Sequence, residues 1–363
     1  VAKITDGEAV NSALNYCRGA YWEGITMQVI VPTTSDWDTF VRAHPRGHLL
    51  QLSGWAALKS AFGWQAARVA LADSSRLAAG AQLLFRRLPM RLGTLAYLPF
   101  GGYVTDDSLW PALWQAVHAT ARQHRARFLK LEPGFGMANA APMLASWGFR
   151  ASAQTIQPPT TIMIPLADDD TMLARMNQGT RRKIRQSYKN GVTVTQASSP
   201  ADVARFGQLM QVTSARNAFG VHEPAYYALA YDLFAPNDAA LMLAWHEAEL
   251  LAGVFVFAVG GTACYLYGAS SDNKRSLMPS YAAQWAAIQW ARDRGCHSYD
   301  MWGIPDAPEA TLEAEFEARS DGLWGVYGFK RGWGGQVVRS AGAWDFAYSS
   351  LLYHAYQAAL RLR

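Results

Sequence analysis

RVALADSSRLAAGAQLLFRRLPMRLGTLAYLPFGG (residues 68–102) and LMLAWHEAELLAGVFVFAVGGTACYLYGASS (241–271) follow one plan. Each reads as a strand, an acidic turn, a second strand holding an Ala-Gly pair, another turn, and a third strand with a Tyr before a glycine. A helix comes next in both, LWPALWQAVHATARQHR (109–125) and PSYAAQWAAIQWARDRG (279–295), and then a strand ending in an acid, RFLKLEP (127–133) and SYDMWG (298–303). The two copies begin about 170 residues apart, too far for a solenoid repeat and suited to a duplicated domain.

The element order narrows the fold. A helix-rich start, an antiparallel meander, a helix and a further strand is the order of the Gcn5-related N-acetyltransferase fold. The expectation is an α/β (α+β) protein of two similar acyltransferase-like domains, 28–158 together with 340–363, and 159–339. Residues 1–27 are expected to be an extension outside the fold, with MQVIVP, opening at Met27, as its first strand. The final stretch AGAWDFAYSSLLYHAYQAALRLR (341–363) supplies the strand and helix that complete the first domain.

Composition bounds the partners. The chain has 363 residues, half of them hydrophobic, a net charge of +5 and a pI near 9.1. Such a balance favours polyanions or an anionic membrane surface. Cys17, Cys264 and Cys296 lie far apart, with no CxxC or Cys/His ligand spacing, so neither a metal site nor a disulfide framework is expected. No apolar run approaches the roughly 20 residues that cross a bilayer, and a signal peptide is not apparent, so a cytoplasmic location is expected. There is no GxSxG, GxxxxGK[ST], HExxH or GxGxxG signature. The glycine-rich turn that holds acyl-CoA pyrophosphate in Gcn5-related enzymes is missing before both helices, which disfavours an acyl-CoA donor and predicts no cofactor.

The densest charge is in NQGTRRKIRQSYKNGV (177–192), where Arg181, Arg182, Lys183, Arg185 and Lys189 crowd one helix. Thr180 is the expected N-cap and Gly191 the stop. Helical spacing aligns Arg181, Arg185 and Lys189, and lets Ile184 and Tyr188 point inward. Like charges four residues apart repel, so this face fits either plain solvation or an RNA or phosphate contact.

QLSGWAALKSAFGW (51–64), LPFGGYVTDD (98–107), TRRKIRQSYKNGV (180–192), YLYGASSDNKRSLMPSYAAQWAAIQWA (265–291), YDMWGIP (299–305) and FKRGWGG (329–335) then fall in one order. In that order and spacing the chain resembles the Fem family of peptidyl transferases over residues 28–345. It looks closer to FemX than to FemA, because no heptad-bearing stretch for a coiled-coil insertion is present. The resemblance implies transfer of an amino acid from aminoacyl-tRNA to the side-chain amine of the third stem residue of a peptidoglycan precursor. The partners implied are aminoacyl-tRNA and either UDP-N-acetylmuramoyl-pentapeptide (UDP-MurNAc-pentapeptide) or lipid II, with no DNA. An acyl-CoA-dependent N-acyltransferase and an aminoacyl-tRNA-protein transferase are the alternatives.

The same resemblance implies an acceptor and diphosphate site of Lys59, Ser214, Arg216, Tyr265 and Tyr267, in a groove at the domain junction. A guanidinium offers a planar fork for phosphate oxygens and an ammonium a mobile point charge. On a regular strand Tyr265 and Tyr267 would face one side, as core packing or as a ligand wall. In YGFKRGWGG (327–335) the resemblance singles out Lys330 for charge stabilisation, beside Phe329, while Arg331 has no assigned role. Glu132 and Asp300, at equivalent strand ends, are candidates for a base, or else anchors for turns. The acid-rich stretch 306–322 reads as a lid or solvated loop, and YSSLLYHAYQAALRLR (348–363) as an amphipathic helix with a basic end, open to peripheral contact with the inner membrane face.

Overall fold

The computed structural model describes residues 27–74, 76–88, 93–137, 139–217 and 220–361. The expected extension, up to residue 26, lies outside these residues. Contacts divide the chain into two compact units, residues 51–131 with 345–363 and the segment up to His44, and residues 132–344 with Pro45–Leu50.

The first unit opens with β1 (Gln28–Ile30), α1 (Thr34–Ala43) and α2 (Ser53–Ala61). The meander follows as β2 (Gln65–Asp73), β3 (Arg76–Arg87) and β4 (Thr94–Pro99), then the short β5 (Tyr103–Val104), α3 (Trp110–Gln123) and β6 (Ala126–Glu132). β2 and β3 pair antiparallel from Gln65↔Phe85 to Asp73↔Arg76, so the repeat forms the antiparallel meander that its order of strands and turns predicts. Gly80, in the first Ala-Gly pair, lies against the buried ring of Trp37, where a β-carbon would collide.

The second unit adds α4 (Ala141–Ser146), β7 (Arg150–Ser152), β8 (Thr160–Pro165), α5 (Asp169–Arg175), α6 (Gln178–Lys189), β9 (Val192–Gln196), α7 (Pro200–Asn217) and α8 (Pro224–Phe234). Its meander is β10 (Ala239–His246), β11 (Glu249–Val259) and β12 (Thr262–Ser270), followed by α9 (Pro279–Asp293) and β13 (Ser298–Gly303). α10 (Glu309–Glu315), α11 (Trp324–Lys330) and β14 (Gln336–Arg339) complete it; β15 (Ala343–Ala347) and α12 (Ser350–Arg361) end the described chain. The sheet runs β14-β8-β13-β12-β11-β10-β9, and the first unit's sheet runs β1-β2-β3-β4-β6-β15. Tyr353 and Tyr356 of α12 pack on Phe128 of β6, and Lys130 of β6 forms a buried ion pair with Asp345 of β15 at 2.8 Å.

Two features of the second sheet govern where its functional side chains point. β12 and β13 run parallel and pair through Thr262–Cys264 and Ser298–Asp300. β13 also carries a bulge against β8, where the register slips between Asp300 and Gly303. No described helix, the 18-residue α7 included, is long and apolar enough to cross a membrane.

The acid-rich stretch 306–322 is not simply a loop. Residues Glu309–Glu315 form α10, with Leu312 fully buried as its anchor. α6 begins one turn earlier than Thr180: Asn177 caps it by accepting from the Thr180 amide at 2.7 Å, and Thr180 itself is buried. Ile184 packs inward as expected, whereas Tyr188 is 44% exposed and Ser187 takes the inward position.

Candidate active site

A cleft of about 800 Å³ opens in the second unit. Its floor is β11 and β12, with Ala252 and Val254 beside Gly268 and Ser270. The entry to α9, Met278–Tyr281, forms one wall, while Lys183 of α6 and Val326 and Phe329 of α11 contribute to the others. Met278 adopts a left-handed φ of 59° and Pro279 takes the first helical position, so α9 starts without a side-chain cap. Uncapped amides at the head of a 15-residue helix give the cleft wall a partial positive charge. Lys183 adds a full charge: its ammonium donates to the Tyr281 hydroxyl at 3.0 Å and lies 4.9 Å from the ring centre.

The tyrosines do not share a face. β12 pairs Val256 with Tyr265 and Phe255 with Tyr267, leaving Leu266 as an extra residue in a bulge. Val256 and Phe255 are adjacent and point oppositely, so their partners do too. Tyr265 turns into the cleft and packs with the α9 side of the core. Tyr267 turns to the other side, where it donates to the Tyr226 hydroxyl at 3.2 Å among Tyr227, Phe255 and His222. The same-side expectation is thereby corrected. Burial raises the hydroxyl pKa of both, that of Tyr265 to about 12, so each is a neutral donor near pH 7.

Lys330 closes α11 and is buried, with 6% exposure. Its ammonium donates to the carbonyls of Gly303 at 2.8 Å and Trp302 at 3.3 Å, and sits 5.6 Å from the Tyr265 ring centre. Those carbonyls belong to the β13 bulge, where Trp302 is left-handed at φ 60°. Asp300 accepts from the Trp302 amide at 2.7 Å and from the Thr161 hydroxyl. Burial pushes Asp300 up to about 6, opposed by these two bonds and by Lys330; it pushes Lys330 down to about 8, opposed by Asp300. Phe329 meets Tyr281 and Trp333 edge-on, with centroids 5.0 and 5.7 Å apart.

Other candidates take different places. Glu132 accepts from the amides of Ile156 at 2.5 Å and Gln157 at 3.1 Å and so anchors this loop. Asp300 is likewise committed to a hydroxyl and an amide. Lys59 lies in the first unit on α2, 4.6 Å from the Trp55 ring centre, with burial and then Arg86 pushing it down to about 8. Ser214 and Arg216 fall on α7; the Arg216 side chain is outside the described residues.

The five cations of α6 divide three ways. Arg181 donates to the carbonyls of Leu173 at 3.2 Å and Met176, closing the end of α5. Lys183 faces the cleft, and Arg182, Arg185 and Lys189 are exposed along a shallow depression of about 540 Å³ that Arg181 also lines. Arg331 is explained by Glu313 of α10, with which it makes a bidentate ion pair, one bond at 2.9 Å, that also receives the Tyr327 hydroxyl at 2.7 Å. Residue types alone gave no sign of Thr161 or Trp302, which act here through a hydroxyl and backbone groups.

The FemAB family profile matches residues 32–142, 146–248 and 245–361. The chain belongs to the FemAB family. The lipid II:glycine glycyltransferase of Staphylococcus saprophyticus is 28% identical to this Fem protein, over 87% of this chain and 92% of its own length. The Staphylococcus haemolyticus enzyme of the same name is 26% identical, over 88% and 93%. The crystal structure of FemX superposes with a TM-score of 0.80 at 25% identity, covering 90% of this chain and 99% of FemX. The two units are accordingly two Gcn5-related N-acetyltransferase-like domains, and among the described residues no helical hairpin is inserted between their elements.

Proposed function

We propose that this Fem protein is an aminoacyltransferase of peptidoglycan bridge synthesis, which moves an amino acid from aminoacyl-tRNA to the side-chain amine of the third stem residue of lipid II or UDP-MurNAc-pentapeptide. The relatives' action on lipid II supports the acceptor class. The observation that carries the donor is the cleft: a positively polarised helix start, Lys183, and serine hydroxyls at Ser270, Ser276 and Ser280 suit the phosphodiester and ribose groups of a tRNA end. Outside it, Arg182, Arg185 and Lys189 offer charge to a longer polyanion.

Aminolysis of the ester requires position first and then stabilisation of the tetrahedral oxyanion. Phe329 and Tyr265 border the reacting end of the donor. An ammonium has three donors; two of those on Lys330 hold carbonyls, and the third serves negative charge developing beside Tyr265. With Glu132 and Asp300 both engaged, proton removal from the amine falls to the substrates' own groups. Lys59, Ser214, Arg216, Tyr265 and Tyr267 are assigned to the acceptor and its diphosphate by resemblance.

The test is transfer from labelled glycyl-, alanyl- or seryl-tRNA to lipid II or to UDP-MurNAc-pentapeptide. Labelled muropeptide from one pair supports the reading and identifies the acceptor form. Failure with every pair, or turnover of acetyl-CoA in its place, rejects it.

A further inference from the structure

The geometry points to Asp300 as a positioning residue for the Lys330 ammonium, acting through the β13 bulge that it caps. This inference rests on the proposed transfer, in which Lys330 meets developing negative charge.

Three observations converge. First, Asp300 is 1% exposed and lies outside the cleft lining, as does Lys330 at 6% exposure, whereas Tyr265, whose ring centre is 5.6 Å from the Lys330 ammonium, lines it. Secondly, its carboxylate holds the Trp302 amide at 2.7 Å while the next two carbonyls, of Trp302 and Gly303, face Lys330. A tryptophan with positive φ is costly and persists where its surroundings impose it. The Thr161 hydroxyl on the neighbouring strand fixes the same carboxylate. Thirdly, Asp300 is the anionic group acting on Lys330, and it favours the ammonium that burial disfavours.

The remaining titratable groups around the pair stay neutral near pH 7. Burial raises Tyr265, Tyr299 and Cys264 and lowers His48, which is within hydrogen-bonding reach of Cys264. The other cation of α11's end, Arg331, is paired with Glu313, and Lys183 is held at Tyr281. Asp300 therefore has two separable effects, one on geometry and one on charge. Asp300→Asn keeps an acceptor and removes the charge; Thr161→Val keeps the carboxylate and removes a bond that favours its ionised form.

The experiment is a titration of full-length protein carrying [13Cε]lysine, with the Lys330 signal identified by its loss in Lys330→Arg. In Asp300→Asn the Lys330 midpoint is expected to fall by about one unit. In Thr161→Val the low-pH inflection that Asp300 imposes on this signal is expected to move upward. An unmoved midpoint in Asp300→Asn overturns the proposal; should that variant not fold, an unmoved inflection in Thr161→Val does so. In the transfer assay the same shift lowers kcat of Asp300→Asn about fivefold at pH 8, with KM for both substrates unchanged. A merely structural aspartate would lower Tm and leave the pH profile of kcat in place. If the wild-type protein transfers nothing, the proposed function fails, and the lysine titration still decides the role of Asp300.

Discussion

The Tyr265 hydroxyl lies over Gly268 so closely that a β-carbon at position 268 would overlap it. Both residues line the cleft, so the contact fixes how far the ring projects into it. Gly268→Ala is expected to force Tyr265 off its position, with a loss of about 1–3 kcal/mol in denaturant unfolding from overpacking and a larger proportional loss in kcat than in stability. A double-mutant cycle checks the cause: in a Tyr265→Ala background the alanine should cost little stability.

The pH dependence of turnover follows from the buried pair. Asp300, pushed up to about 6, is ionised above that pH, and Lys330, pushed down to about 8, keeps its proton below that pH. At saturating substrates kcat should therefore hold up to about pH 8 and fall above it as the ammonium is lost, while protonation of Asp300 below about pH 6 leaves Lys330 charged. Asp300→Asn should move this alkaline limb downward. A profile of kcat from about pH 5 to about pH 9.5 reads it.

What the sequence made legible was pattern. The order of strands, turns and helix in 68–102 and 241–271 is visible as a repeat because both meanders are built from apolar strands buried along most of their length, Lys183 stood out as one of five clustered cations, and Lys330 stood out through the family resemblance. The facing of Tyr265 and Tyr267 was not legible, since Leu266 bulges without any residue that marks a bulge. The environment of Lys330 was equally hidden, being made of the Trp302 and Gly303 carbonyls, which every residue possesses. Arg181 looked like its neighbours on α6 and instead closes α5, because a guanidinium near a helix end can satisfy carbonyls that lack partners.

That division of α6 predicts unequal effects on RNA binding. Replacing Arg182, Arg185 and Lys189 by Ala should weaken tRNA binding and flatten its salt dependence, by about 0.7–0.9 in the log–log slope for each phosphate left without a cation. Arg181→Ala should leave that slope in place and lower Tm, since it releases the carbonyls of Leu173 and Met176. Filter binding across a salt series, beside thermal unfolding, separates the two.

Lys330 and Arg331 are adjacent cations whose substitution should have different consequences. Lys330 is buried and bonded to two carbonyls beside Tyr265, so Lys330→Met removes the proposed charge stabilisation and should lower kcat by about 10²-fold or more. Arg331 and Glu313 are 30% and 48% exposed, so solvent screens their ion pair and its removal should cost less than about 1 kcal/mol. Arg331→Ala should loosen α10, whose contact with α11 runs through Glu313 and the Tyr327 hydroxyl, while kcat stays near the wild-type value. Amide exchange over 309–315 reports the loosening, and the transfer assay reports kcat. If Arg331→Ala proved as damaging to kcat as Lys330→Met, the charge would be acting collectively, and the particular role given to Lys330 would be wrong.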